Sequence, residues 1–93
     1  MTDLEVKAFV GKTVRMVWVD PTAAEGGWIT EEEALELVPS TCYTVGIVLK
    51  ADDGVTVIAG SGSVDADDGG YGDVNALPTC CVREIKEYHE STE

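Results

Sequence analysis

Apolar and polar residues alternate between Thr41 and Gly60, and this pattern predicts a β-hairpin around which the rest of the chain is arranged. Four apolar residues occupy every second position of its first strand: Tyr43, Val45, Ile47 and Leu49. Three more do so in its second strand: Val55, Val57 and Ala59. The opposite face still carries Val48 and Ile58, so both faces need cover. A sheet with two apolar faces favours a small barrel over an open sheet with one face in water.

The turn of this hairpin can be drawn in two ways. A two-residue Asp53-Gly54 loop places Lys50 opposite Val57. A three-residue loop over 52–54, with its glycine at positive φ, places Leu49 opposite Val57 and makes one continuous apolar face. We expect the three-residue loop, because it keeps the apolar residues of the two strands together.

The remaining segments supply further strands and one helix. Residues 13–20 alternate like a strand and place Trp18 on the face expected to be core. Thr30 to Glu33 has the form of a capping box, which predicts a helix from Glu31 to Val38 that packs on one end of the barrel. A polar loop over 61–72 then leads to a short strand at 73–77 and a charged edge strand at 81–88.

These elements predict a mainly β fold: a small barrel of about five strands with one short helix. We divide the chain into an N-terminal arm at 1–12, either a short helix or irregular, a barrel domain at 13–88, and a frayed C-terminal tail at 89–93. A chain of 93 residues has room for a single core.

The charge of the chain narrows the classes of partner. Eighteen acidic and six basic residues give a net charge of −12, which would repel nucleic-acid phosphates and an anionic membrane surface. The apolar runs are too short for a membrane span or a secretory leader, so we expect residence in a cytoplasm.

Candidate chemistry is sparse. Cys42, Cys80 and Cys81 are an odd set without a Cys-x-x-Cys pair, which favours reduced thiols over disulfides or zinc. The one histidine, His89, lies in the predicted tail, so a Cys–His pair lacks an activating context. We therefore expect no enzyme activity, no catalytic residues and no cofactor.

The acidic loop between Asp65 and Asp73 suggests calcium at first sight, because Asp65-x-Asp67 begins like a calcium-binding loop. However, the third ligand position is Gly69, and Ala76 stands where a bidentate glutamate is needed. A solvated acidic loop without metal is the simpler interpretation.

Several short motifs carry a resemblance: Val17-Trp18-Val19-Asp20, Gly27-Trp28, Thr44-Val45-Gly46, and Pro78 followed by Cys81-Val82. In this order, over most of residues 13–88, the chain resembles a group of small bacteriophage-encoded proteins of unassigned function. The resemblance implies an SH3-like small barrel and an accessory gene product of a phage. It brings no catalytic residues with it.

We therefore predict a small acidic protein that acts by protein–protein binding in the host cytoplasm, on a basic surface of a host protein. Acidic groups occupy each segment predicted to project from the barrel, and such a field speeds association with a basic partner. The residues expected at the binding surface are Trp28, Glu32, Glu36, Asp67, Asp68 and Tyr71. The alternative is a structural or virion-associated barrel protein that self-associates.

Overall fold

The computed structural model describes residues 1–65 and 69–89 of the chain. In chain order the elements are α1 (Asp3–Lys7), β1 (Thr13–Asp20), α2 (Glu31–Leu35), β2 (Ser40–Asp52), β3 (Val55–Gly62), β4 (Tyr71–Pro78), a 3₁₀ turn (Thr79–Cys81) and β5 (Val82–Glu87). The mainly β prediction is confirmed. The structure has two short helices where the predicted fold had one, and the second, α1, is the helical alternative left open for the N-terminal arm.

The five strands form one antiparallel sheet in the order β4-β3-β2-β1-β5. Within the described residues β4 and β5 are its two edges and do not pair with each other, so closure into a barrel is not confirmed. The loop predicted over 61–72 is shorter than expected, because β3 and β4 continue their pairing as far as Gly62 opposite Tyr71.

The sheet bends in the middle of its longest strand, β2. The first half of β2 pairs with β1 as far as Ile47 opposite Thr13, and its second half pairs with β3 from Ile47 opposite Ala59. Gly46 is buried at this junction, where a β-carbon would lie 2.9 Å from the carbonyl carbon of Ala59. The missing side chain therefore lets the β3 backbone cross closely over β2.

The predicted register of the β2–β3 hairpin is wrong. Asp52 pairs with Val55 across a two-residue turn, and both turn residues, Asp53 and Gly54, have positive φ. Such a turn matches the twist of the flanking strands. Lys50 then lies opposite Val57, and an irregularity between Val48 and Lys50 restores the alignment of Ile47 with Ala59. One extra residue in β2 thus produces the alignment of Ile47 with Ala59 that we expect from a three-residue turn.

The hairpin's largest contributions to the core, Val48 and Ile58, come from the face opposite to the continuous apolar face expected for it, of which only the small residues Ala51 and Ala59 are buried. The buried apolar residues of the core come from α1 and all five strands: Val6, Val14, Met16, Val48, Ala51, Ile58, Leu77, Val82 and Ile85. Trp18, predicted as core, packs against this cluster but is half-buried, and its indole Nε1 donates to Thr44 Oγ1 at 3.0 Å. A half-buried indole that packs on the core and satisfies its N–H fits an amphipathic ring at a core margin.

Helix α1 is held against the hairpin turn. Val6 is fully buried, and Asp3 Oδ2 accepts a hydrogen bond from the Gly54 amide at 2.8 Å. Gly54 in turn accepts from the Thr79 amide, and the Thr79 hydroxyl is 2.9 Å from that of Thr56 in the interior. The pKa of the Asp3 carboxyl lies below its ordinary value because the Thr79 hydroxyl and the Gly54 amide both stabilise its charged form.

Helix α2 has the predicted start but not the predicted packing. Thr30 and Glu33 form the capping box, whereas the helix ends at Leu35 and not at Val38. No residue of α2 is buried, and Leu35 is 80% exposed, so the expectation that this helix closes one end of a barrel is wrong. The capping box depends only on residues 30–33. Packing of α2 on the sheet depends on the chain that leads into the helix, where Gly26 and Gly27 both have positive φ.

The molecule is elongated. Its extents are 52 × 34 × 27 Å and its Cα radius of gyration is 16.4 Å, where a compact domain of this length would have about 12 Å. Its accessible surface is 6760 Å², against about 5,200 Å² for a typical monomer of this mass. The segment around α2 and the far end of the β3–β4 hairpin leave more surface in water than a compact fold would.

Candidate functional site

Residues 21–39, here called the acidic arm, connect β1 to β2 and include α2. Trp28 stands at the entrance of α2 and is fully exposed. The arm has five glutamates and no basic residue: Glu25, Glu31, Glu32, Glu33 and Glu36. The Glu33 carboxylate is engaged at 2.9 Å by the Thr30 hydroxyl, so the other four glutamates are the ones available to a partner.

The acidic arm also presents apolar side chains. Leu35, Leu37 and Val38 are 80%, 45% and 72% exposed. The arm thus offers an exposed tryptophan and three exposed aliphatic residues in the same segment as its carboxylates, the apolar and charged contacts that protein interfaces combine.

The structure unites only part of the predicted binding surface. Trp28, Glu32 and Glu36 lie together on the acidic arm, and all three are exposed. Tyr71 begins β4 opposite Gly62 at the far end of a different hairpin, where it is 55% exposed. Asp67 and Asp68 fall outside the described residues, and Asp67 is also the second aspartate of the loop considered for calcium.

The basic residues are segregated from the acidic arm. Residues 16–49 and 51–82 contain no lysine, arginine or histidine, so every cation comes from α1, the β1 entrance, Lys50 or the β5 region. Those cations have local partners: Arg15 lies over the Tyr43 ring at 4.7 Å, and Lys86 Nζ is 3.2 Å from Glu84. Exposed pairs of this kind contribute little to stability. All six lysine and arginine residues therefore lie outside the arm, whereas the charged residues of the arm are all negative.

A cavity of about 350 Å³ lies between the end of β1 and the end of β4. Its lining consists of two runs of consecutive residues, 18–21 and 75–78, together with Cys81. We call it the β1–β4 slot. No motif in the sequence predicts this slot, although Pro21 and Pro78 each mark the end of a strand beside it. The slot depends on how the bent sheet brings β1 and β4 face to face, which no short-range pattern encodes.

Among the residues that the structure describes, two carboxyl groups have displaced pKa values, and both have structural causes. Besides Asp3, the pKa of Glu5 is lowered because the Thr2 amide and hydroxyl donate to its carboxylate in the α1 capping box. The three cysteines are free thiols. In residues 1–65 and 69–89, no group of three or more metal-ligating side chains comes together.

No helix in the described part of the chain is both long enough and apolar enough to cross a membrane. Comparison of the chain with known protein families, with curated proteins and with solved structures finds no match.

Proposed function

We infer that this protein is a binding module whose acidic arm recognises a basic surface on another protein. The observation that carries this inference is the exposure of Trp28 in an arm that has five glutamates and no cation. A free side chain of this size, left in water by its own fold, is the type of residue that dominates binding energy when it enters a partner's pocket.

The negative charge of the acidic arm indicates which kind of partner surface it would bind. The arm's field attracts a lysine- or arginine-rich surface and repels acidic ones. The arm carries −5 in 19 residues, against −7 in the other 74, so the negative charge is densest there and a basic partner is drawn first to the arm. Complementary charge of this kind raises the association rate and the specificity more than the affinity. The affinity then comes from Trp28 and the aliphatic residues beside it.

The area of the molecule is consistent with a missing partner. Its surface exceeds that of a compact monomer by roughly 1,500 Å², more than the about 800 Å² that each partner contributes to a standard protein–protein interface. We propose that the fold is a partly open, SH3-like barrel from a phage-type accessory protein, and that the partner is a host protein in the host cytoplasm. The bend of β2 at Gly46 and its sharing between two halves of the sheet support a barrel-like curl.

The test is capture of basic proteins from a host lysate by three immobilised forms of the protein: the parent and two double variants. The first variant carries Glu32→Lys with Glu36→Lys in the arm. The matched control carries Glu84→Lys with Glu87→Lys on β5 and so has the same net charge. We expect the arm variant to lose the captured protein and the β5 variant to keep it, with binding at least about tenfold weaker at 0.5 M than at 0.05 M salt.

Trp28→Ala separates charge from apolar contact. It should weaken the captured complex by about 2 kcal/mol or more without changing its salt dependence. Equal loss in both double variants would mean that net charge alone drives binding, and retention in both would remove the arm from the interface. Either result would overturn the proposal.

A second candidate is self-association, as in a structural or virion-associated protein. Two unpaired sheet edges, β4 and β5, favour it, because strand edges are templates for pairing with another chain. The charge of −12 opposes it. Sedimentation equilibrium over a hundredfold range of concentration at 0.05 and 0.5 M salt decides: a constant monomer mass rejects this candidate.

A further inference from the structure

The β1–β4 slot is bordered by two strand edges that lack a neighbour. On one side of β1, pairing with β2 continues to Asp20 opposite Ser40, whereas on the other side pairing with β5 stops at Trp18 opposite Val82. Within the described ranges 1–65 and 69–89, the last two residues of β1 therefore have one free edge. Strand β4 pairs only with β3 in the described structure, so its other edge is free along its length.

The lining of the slot shows that these edges face into it. Successive side chains of a strand point to opposite faces, so a cavity that lies against one face contacts alternate residues. Here four consecutive residues of each strand line the cavity, 18–21 and 75–78. A cavity that contacts consecutive residues lies along the edge of the strand, where the backbone amide and carbonyl groups point.

The slot has apolar, backbone and acidic surfaces together. Trp18 and Leu77 supply the apolar lining, Asp20 and Asn75 are exposed on opposite sides, and Pro21 closes the β1 end. All nine lining residues belong to the two stretches without a cation, and the acidic arm starts at the same proline. An occupant with lysine or arginine side chains is therefore favoured over an anionic one.

We propose that the β1–β4 slot binds an extended peptide segment of a basic partner, which pairs with the free edge of β4 and continues the sheet towards β1. The backbone of the segment supplies hydrogen bonds, an apolar side chain rests against Trp18, and a basic side chain meets Asp20. The volume of about 350 Å³ suits a few extended residues and not a folded element. This proposal rests on the proposed function only in taking the partner to be basic.

The assay uses the full chain with Trp28→Phe, which leaves Trp18 in the slot as its one indole. The probe is an acetylated hexapeptide of alternating valine and lysine. We expect a saturable change in Trp18 emission with this peptide and none with its valine–glutamate counterpart. Methylating alternate backbone nitrogens of the probe should weaken binding about tenfold or more, because it removes ladder hydrogen bonds while keeping the side chains.

Variants of the protein locate the charge contact. Asp20→Asn should weaken the lysine peptide about three- to tenfold. Glu84→Gln, which removes an exposed carboxylate from β5, should leave binding unchanged. Equal binding of the methylated peptide, or no binding of the lysine peptide, would overturn the proposal. So would an emission change that follows protein concentration without peptide, since a second copy would then fill the slot.

This result is separable from that of the lysate capture. If the peptide fails to bind while the arm variant still loses its captured protein, the slot is wrong and the arm function stands. If the peptide binds as described while the arm variant captures normally, the arm function is wrong and the slot stands.

Discussion

Replacing Gly46 by alanine tests whether β2 is bent by close contact with β3. Gly46 does not have positive φ, so alanine meets no backbone strain there. Without a collision, the loss of unfolded-state freedom alone would stabilise the protein by about 0.4–1 kcal/mol. The new methyl group, however, would overlap the Ala59 carbonyl oxygen and lie 2.9 Å from its carbon. The two effects have opposite signs, which makes the measurement decisive.

The collision should win by a wide margin. Overpacking of a buried site costs about 1–3 kcal/mol when side chains can adjust. At Gly46 the nearest atoms are backbone, held by pairing on both sides of Ala59, so we expect a loss of about 3 kcal/mol or more. For a chain of this length the total stability is about 5–14 kcal/mol. The variant should therefore lose a large part of it.

Urea unfolding followed by circular dichroism measures this loss. The control is Gly54→Ala, where a β-carbon meets no atom within 4 Å but φ is +76°. There, left-handed strain of about 1–2 kcal/mol is partly offset by unfolded-state entropy, so the net loss should be near 1 kcal/mol. A Gly46→Ala protein that unfolds at the same urea concentration as the parent, or at a higher one, would refute the bend by close approach.

Three further predictions concern the core, the dependence of stability on pH in acid, and the exposure of the two tryptophans. Met16→Ala, in the fully buried core, should cost about 3 kcal/mol by urea unfolding, whereas Leu35→Ala on the acidic arm should cost less than about 0.5 kcal/mol; equal costs would contradict the assigned burial. The lowered pKa of Asp3 stabilises the fold above its unfolded value of about 3.9, and this contribution is lost as pH falls through the folded pKa. Asp3→Asn should thus be less stable than the parent at pH 6, with a gap that narrows below pH 4; a gap independent of pH would exclude the charge as its cause. Trp28→Phe should leave a blue-shifted emission from Trp18 that the neutral quencher acrylamide reaches poorly, and Trp18→Phe should leave a red-shifted emission that acrylamide quenches freely. Similar quenching of both variants would mean that the arm is packed.

The sequence predicted the elements better than their contacts. The strand patterns and the Thr30 capping box are short-range signals, and all of them led to real elements. The hairpin register failed because Leu49 is an extra residue in β2, and an irregularity of that kind leaves no mark in an alternation that is apolar on both faces. The same two-sided pattern hid which face was the core.

The candidate site was partly predictable. The predicted binding surface included Trp28, Glu32 and Glu36, and the structure leaves these three residues in water. The slot was not predictable, because it depends on where β1 loses its neighbour β5. Along β1, pairing with β5 stops at Trp18, whereas pairing with β2 continues to Asp20. That difference of two residues arises from the 3₁₀ turn that leads into β5, a feature of the connection and not of any strand pattern.

The elongated shape has a consequence for chromatography. A radius of gyration of 16.4 Å is what a compact chain of about 200 residues would have, roughly twice the length of this protein. In size exclusion a single chain should therefore elute where a globular dimer is expected, and an apparent mass near 20 kDa would describe a monomer. Conversely, binding that folds the acidic arm against a partner would give a more compact complex. Such a complex would elute later than the sum of the two apparent masses suggests.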